Sequence, residues 1–249
     1  MAESQPTKSL LNTEQFVQDI LTSIERERER EIIARRFGLF DRKETLEQIG
    51  ELLGITRERV RQLEKSVVAR LKATAEQGQL SHIKEVEATL VNSLHEMGEA
   101  ARVSDLSGRV TAENTRTDQS RIAFLSELCP SLVVIEDNDN YHHAIGIRAV
   151  HDEKSMKASV AKLVEAIKKL GEPALITDIA KAGGIEHADQ ARALSSISKD
   201  LATLNNRWGL VKWPMVNPKN IRDKIYVILK EHGMHMHFNE IASAIKDSD

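Results

Sequence analysis

The sequence predicts a mainly α chain: a helix-turn-helix near the N-terminus, then tandem winged-helix domains of three helices plus a β-hairpin, the last one truncated. Three observations predict it. Residues 45–72 combine helical apolar stripes with cap and turn residues. Beyond Gly78 a glycine-ended helical pattern recurs three times. Aromatic residues make up only 4% of a chain that is 41% hydrophobic, which suits small helical cores.

The helix-turn-helix reads element by element. Thr45 followed by Gln48 is a capping-box start, and Leu46, Ile49, Leu52 and Leu53 repeat at helical spacing. Gly54 supplies a left-handed residue to end that helix, and Ile55 fills the corner. Thr56 is a good N-cap for the second helix. At about 100° per residue, Val60, Leu63, Val67 and Leu71 fall on one stripe that faces the core. Glu58, Arg61, Gln62 and Lys65 fall opposite, with Arg57 and Arg59 on the flanks.

From Ile55 to Lys72 there are six Lys or Arg against two Glu, so the exposed face is locally basic. Arg can contact guanine bidentately, Gln adenine, and Glu can accept from cytosine. Those types near one helix start suit a recognition helix in the major groove. The alternative is a solvated, charge-laced surface helix.

Arg30-Glu31-Ile32-Ile33-Ala34-Arg35-Arg36-Phe37-Gly38-Leu39, then Thr45-Leu46-Glu47-Gln48-Ile49-Gly50, then Thr56-Arg57-Glu58-Arg59-Val60-Arg61-Gln62-Leu63-Glu64, resemble region four of the housekeeping bacterial sigma factors. The resemblance covers about residues 25–75. It implies a domain that reads the −35 element of double-stranded promoter DNA and docks on the β flap of the RNA polymerase core. It also implies Arg57, Glu58, Arg59, Arg61 and Gln62 as DNA-contacting residues, and the helical geometry adds Lys65. A complete sigma factor has further regions upstream that melt DNA. Residues 1–24 leave no room for them, so promoter melting by this chain alone is not expected.

Composition sets limits. The 249 residues have room for several small domains, at a net charge of −3. Residues 24–72 hold thirteen Lys or Arg against ten Asp or Glu, hence +3, which leaves −6 for the remainder. Unaided DNA binding should therefore be weak. The single cysteine, Cys129, excludes an internal disulfide and any multi-cysteine zinc site, and beside Pro130 it reads as a buried, inert thiol. No apolar run reaches the roughly 18 residues of a membrane span and no signal peptide is visible, so a cytoplasmic location is expected.

Residues 1–9 read as a disordered N-terminus, and 10–76 as the helix-turn-helix domain. The pattern from Leu10 to about Phe37 is helical, with the alternating run Glu25–Glu31 as a solvated face. The repeat follows at 80–150, 154–216 and 219–249. Leu94–Leu106 aligns with Ile167–Ile179 and with Leu229–Ile241. Each copy predicts a helix ended by Gly98, Gly171 or Gly233, an apolar crossing, and a second helix capped by Ser104, Thr177 or Asn239.

Copies one and two share Asp118-Gln119-x-Arg121 and Asp189-Gln190-x-Arg192 at the start of a third helix. Strand-like segments close them: 132–135 with 141–147, turning at Asp137–Asn140, and 208–213. Only 16 residues follow Gly233, against 49 and 42 from the repeat glycine to the wing end in the earlier copies, so the third copy is incomplete. Arg207–Pro214, Ile225–Gly233 and Phe238–Ala242 resemble the HARE-type winged helix, also the N-terminal domain of the RNA polymerase δ subunit. This resemblance leaves DNA and protein equally open as partners of the repeats.

Little else suggests chemistry. His232, His235 and His237 are close in sequence, and His142-His143 lie elsewhere, but no carboxylate or cysteine set accompanies them, so they read as a helix crossing rather than a metal site. Trp208 and Trp213 read as packing residues. Asn138 and Asn140 could touch a minor groove, but Asp137 and Asp139 beside them would repel phosphate. There is no Walker loop, dinucleotide turn or nucleophile elbow, so no enzyme, cofactor, metal or small-molecule substrate is expected. Three functions fit: a promoter-reading transcription factor, a δ-like polymerase accessory protein without sequence-specific contacts, or the targeting part of a longer enzyme.

Overall fold

The computed structural model describes residues 10–247, so the disorder expected at 1–9 falls outside the described residues. The described part is mainly helical, with two three-stranded antiparallel sheets. It divides into two compact units, the first running to Asp137 and resuming at His143–Lys154, the second comprising Asn138–His142 and Ser155 onward. None of the described helices is long and apolar enough to cross a membrane.

The first unit begins with α1 (Thr13–Thr22) and α2 (Glu27–Phe37). The single helical run expected over 10–37 is broken between them. Arg26 is extended (φ −88°, ψ 118°), and Ile24 in the break is buried. The alternating charge run is not wholly solvated either. Glu29 is only 4% exposed because α2 turns it toward the next long helix, where Arg70 Nη2 lies 2.5 Å from its carboxylate.

α3 (Leu46–Leu53) and α4 (Arg57–Glu76) follow as the helix-turn-helix. Then come α5 (Ile83–Met97), β1 (Ala100–Arg102), α6 (Val103–Val110), α7 (Arg116–Leu128), β2 (Leu132–Ile135) and β3 (Ala144–Ile147). The sheet order β1-β3-β2 behind three helices is a winged-helix arrangement. One apolar core runs from Leu11 to Ile147 and draws on α1, α2 and α4 as well as the winged helix. Phe37 of α2 meets Phe124 of α7 edge to face at 5.0 Å. Leu11 N–H donates to the Val110 carbonyl at 2.8 Å, and Phe16 stacks on His82 at 4.4 Å.

The expected caps of the second repeat helix are corrected. α6 starts at Val103, one residue before Ser104, with Arg102 as N-cap and no side-chain cap bond. The cause is tertiary. Arg102 is the last residue of β1 and pairs with Ala144, while Val103 N–H donates to the His143 carbonyl at 2.9 Å. Sheet pairing thereby fixes Arg102 and Val103 ahead of Ser104, and the chain turns directly from β1 into the helix.

In the second unit α8 (Glu153–Leu170), β4 (Ala174–Leu175), α9 (Ile176–Gly183), α10 (Ala188–Ile197), β5 (Leu201–Leu204) and β6 (Arg207–Leu210) repeat the plan, with order β4-β6-β5. Here too the second helix starts one residue early, at Ile176, ahead of Thr177. Asn205 and Asn206, at φ 49° and 60°, form the two-residue hairpin turn of this wing. Trp208 is buried, and a Cβ on Gly209 would come within 2.8 Å of the Trp213 ring, so both tryptophans pack on the fold.

α11 (Ile221–His232) and α12 (Phe238–Asp247) complete the described chain. His237, not Asn239, opens α12. Its Nδ1 accepts from Asn239 N–H at 3.3 Å, and its own N–H donates to Glu240 at 2.8 Å. Gly98, Gly171 and Gly233 all take positive φ (92°, 75° and 74°), as the repeat requires of residues ending a helix.

Candidate nucleic-acid interface

The interface is built on α3, its turn and α4. Thr45 Oγ1 accepts from Gln48 N–H at 3.2 Å, and the Gln48 side chain accepts from Thr45 N–H at 2.9 Å, completing the capping box. Gly54 is left-handed at φ 64°, and Thr56 Oγ1 accepts from Arg59 N–H at 3.2 Å to open α4. Ile32, Ile49 and Val60 form a small core, lined by Leu46, Leu53, Ile55 and Leu63. Leu52 departs from the expected stripe and is 55% exposed, because it lies well round the helix from Leu46, Ile49 and Leu53.

The long stripe of α4 serves two cores. Val60 packs within the helix-turn-helix, and Val67 and Leu71 pack in the larger core shared with the winged helix. The second half of α4 is thereby anchored while its first two turns remain open on the far side. Arg57, Glu58, Arg59, Arg61, Gln62 and Lys65 are all exposed there.

These side chains are organised among themselves. Arg61 donates to Glu58 through Nε at 2.8 Å and Nη2 at 2.7 Å, a two-pronged pair. Gln62 also donates to Glu58, at 3.3 Å, and Arg59 donates to Gln62 at 3.5 Å. Arg57 lies 3.8 Å from Glu47 of α3. Hydrogen bonding from Arg61 holds the Glu58 carboxyl down at about 2. The Arg61 guanidinium is therefore engaged with a carboxylate and is not a free cation.

One structural residue of this region, Gly50, was not singled out from the sequence. A Cβ on Gly50 would stand 2.7 Å from the Ile55 carbonyl, so glycine permits the close approach of turn to helix. A glycine inside an apolar helical pattern was the available signal. Arg121 was legible only as part of the repeated Asp-Gln-x-Arg, not through its tertiary contacts. Its Nε donates to the Leu39 carbonyl at 2.8 Å, and its guanidinium lies 2.9 Å from Glu14 and 3.7 Å from Asp118. It clamps α1 and the loop after α2 onto α7, which gives the repeated Asp-Gln-x-Arg a structural meaning.

Among the described residues no three His, Cys, Asp or Glu side chains are grouped to hold a metal. Cys129 is buried, and desolvation with the Glu87 charge pushes its thiol pKa far up, away from reactivity.

Capped α3, the left-handed turn and the exposed polar start of α4 define the helix-turn-helix class. The comparisons specify the kind: residues 26–73 match the family Sigma-70, region 4. An RNA polymerase sigma factor, sigB, of Arabidopsis thaliana is 52% identical over 46 residues, 18% of this chain and 8% of that protein. Sigma factor SigA of Nostoc sp. is 39% identical over 71 residues, 28% and 17% of the two chains. Sigma factor RpoD of Helicobacter pylori is 51% identical over 49 residues, 19% and 7%. The chain thus spans less than a fifth of the length of these relatives.

Proposed function

We propose that this is a cytoplasmic, non-enzymatic transcription protein whose α3–α4 head reads a −35-type promoter element in the major groove and which associates with the RNA polymerase core, the β flap included. The observation that carries this reading is the exposed set Arg57, Glu58, Arg59, Arg61, Gln62 and Lys65 on the open turns of α4. The Sigma-70 region 4 match over the same residues supports it. Arg61 and Gln62 supply base readout, and Lys65 meets phosphate. The apolar side of the head is already packed on α7, so its contact with polymerase uses other surfaces. The winged-helix repeats, δ-like in plan, add further contacts to DNA or polymerase.

The test is a salt-titrated anisotropy assay with a −35-type duplex and a scrambled one, with and without core polymerase. Selective binding that weakens with salt at a slope of a few phosphate contacts is expected. Arg61→Ala should relax selectivity by about tenfold at one base pair, whereas Lys65→Ala lowers affinity uniformly. Equal binding of the two duplexes, with retention on polymerase that survives Arg61→Ala, would establish the accessory-protein reading instead.

A further inference from the structure

Alongside α4 in the first unit lies a groove of about 560 Å³. Its floor is apolar, formed by Phe37, Leu46, Val68, Ala69, Ala123 and Val134. Its walls hold five cations, Arg36, Lys43, Arg61, Lys65 and Lys72, against three carboxylates, Glu64, Glu127 and Glu136. Arg36 is engaged with Glu64 at 3.3 Å, Lys72 with Glu127, and Arg61 with Glu58 outside the groove. Among the described interactions Lys43 and Lys65 have no ion pair or hydrogen bond, and the half-buried His143 imidazole has no hydrogen-bond partner.

We propose that this groove binds a nucleotide-sized anion with a flat apolar body, a free nucleoside phosphate, and that its occupancy opposes DNA reading by α4. Size and lining support this. Small-ligand sites are concave, about 300–1,000 Å³, mostly apolar, with a few convergent polar groups. A base or similar ring suits the floor, and phosphate suits Lys43, Lys65 and His143 at the rim. Arg61 and Lys65 belong both to the groove wall and to the proposed reading face, so phosphate held there competes with duplex for the same cations.

The rim also gives the site a signature. Burial and then the Lys43 charge lower the His143 pKa, with Glu136 and Asp137 acting the other way. Burial and then Arg36 lower Lys43, again opposed by Glu136 and Asp137. The Lys43 charge therefore suppresses that of His143, as the Arg36 charge suppresses that of Lys43. An anion between them relieves that repulsion and raises the His143 pKa, so binding takes up a proton and tightens as pH falls through the histidine range.

The experiment is calorimetric titration of the whole chain with ATP and GTP, with adenosine and pyrophosphate as controls, in buffers of different ionisation enthalpy. Nucleotide binding at least tenfold tighter than either control is expected. Lys43→Ala and Ala69→Trp, the latter filling the floor from an exposed helix position, should each weaken it at least tenfold with unchanged far-UV circular dichroism. Proton uptake at neutral pH should be smaller in His143→Gln than in wild type.

No binding of either nucleotide at millimolar concentration overturns the proposal, as does binding indifferent to Lys43→Ala and Ala69→Trp. Pyrophosphate binding as well as ATP overturns the role of the apolar floor. Competition rests on the promoter-reading proposal and is measured separately, as loss of duplex affinity with added ATP. If duplex selectivity is absent, the calorimetry still decides the groove. If ATP binds and duplex affinity is unmoved, the competition is overturned.

Discussion

The two complete winged-helix repeats share a four-residue motif and use it differently. In the first, Arg121 has a side chain only 10% exposed, donates to the Leu39 carbonyl and stands between Glu14 and Asp118. In the second, Arg192 at the corresponding position is 53% exposed and, among the described residues, has a salt bridge only to Asp189 in its own helix, at 3.5 Å. Three residues on, Phe124 lies fully buried against Phe37, where the second repeat has Ser195, buried with its hydroxyl lacking a hydrogen-bond partner among the described residues. The motif thus supplies a helix start in both copies. Only where α1 and α2 lie against it does it become a clamp, because a guanidinium gains most when several acceptors converge on it away from water.

Substitutions at these paired positions should separate the repeats most sharply. Phe124→Ala should cost about 3–5 kcal/mol, whereas Ser195→Ala should change stability by less than about 1 kcal/mol and in the stabilising direction. Both tryptophans, Trp208 and Trp213, belong to the second unit, so fluorescence follows that unit while circular dichroism follows both. Phe124→Ala is expected to lower the dichroism midpoint and leave the fluorescence transition in place. A matching fluorescence shift would break the comparison by making the units one cooperative body.

Arg121→Ala comes next. It strands the Leu39 carbonyl and takes the ion-pair partner from Glu14, and should cost about 2–3 kcal/mol, below the fully buried case because Glu14 is exposed. Arg192→Ala should stay within about 0.5 kcal/mol. Equal losses in urea titrations would show that the clamp is not specific to the first repeat.

Within the head, Gly50→Ala drives a methyl into the Ile55 carbonyl and should cost about 1–3 kcal/mol, more than the ~1 kcal/mol expected for removing the Thr45 cap by Thr45→Ala. Thermal melts of the two variants would rank them, and the reverse order would mean the turn relaxes easily.

The smallest effect concerns pH. The Glu58 carboxyl is depressed in the folded state, to about 2, so its contribution is fully present above its ordinary range and is lost progressively as pH falls from that range through about 2. The Glu58–Arg61 pair should accordingly persist from pH 8 to pH 4. Carbon-13 titration of the Glu58 carboxyl is the check. A midpoint in the usual carboxylate range would show that Arg61 is free, and would strengthen it as a base reader.

Much of the head was legible in the sequence because its determinants are local. Caps, the left-handed Gly54 and the stripe of α4 are fixed by neighbours within a turn or two. The repeat glycines were legible for the same reason. Glu29 and the starts of α6, α9 and α12 were not, since burial of a carboxylate against Arg70 and the taking of Val103 N–H by the His143 carbonyl join residues far apart in the chain.

By itself, then, the sequence determined the helix-turn-helix, the glycine-ended repeat helices and the outward set from Arg57 to Lys65, all consequences of helical periodicity and capping chemistry, whereas β1, β4 and β5 were not read as strands. Only the tertiary structure decided that the head and first winged helix share a core from Leu11 to Ile147. It alone converted Arg121 into a clamp and left Arg192 in solvent, and brought Lys43 and His143 to a groove beside α4. Long-range packing decides which of many compatible apolar faces meet, and no local pattern encodes that choice.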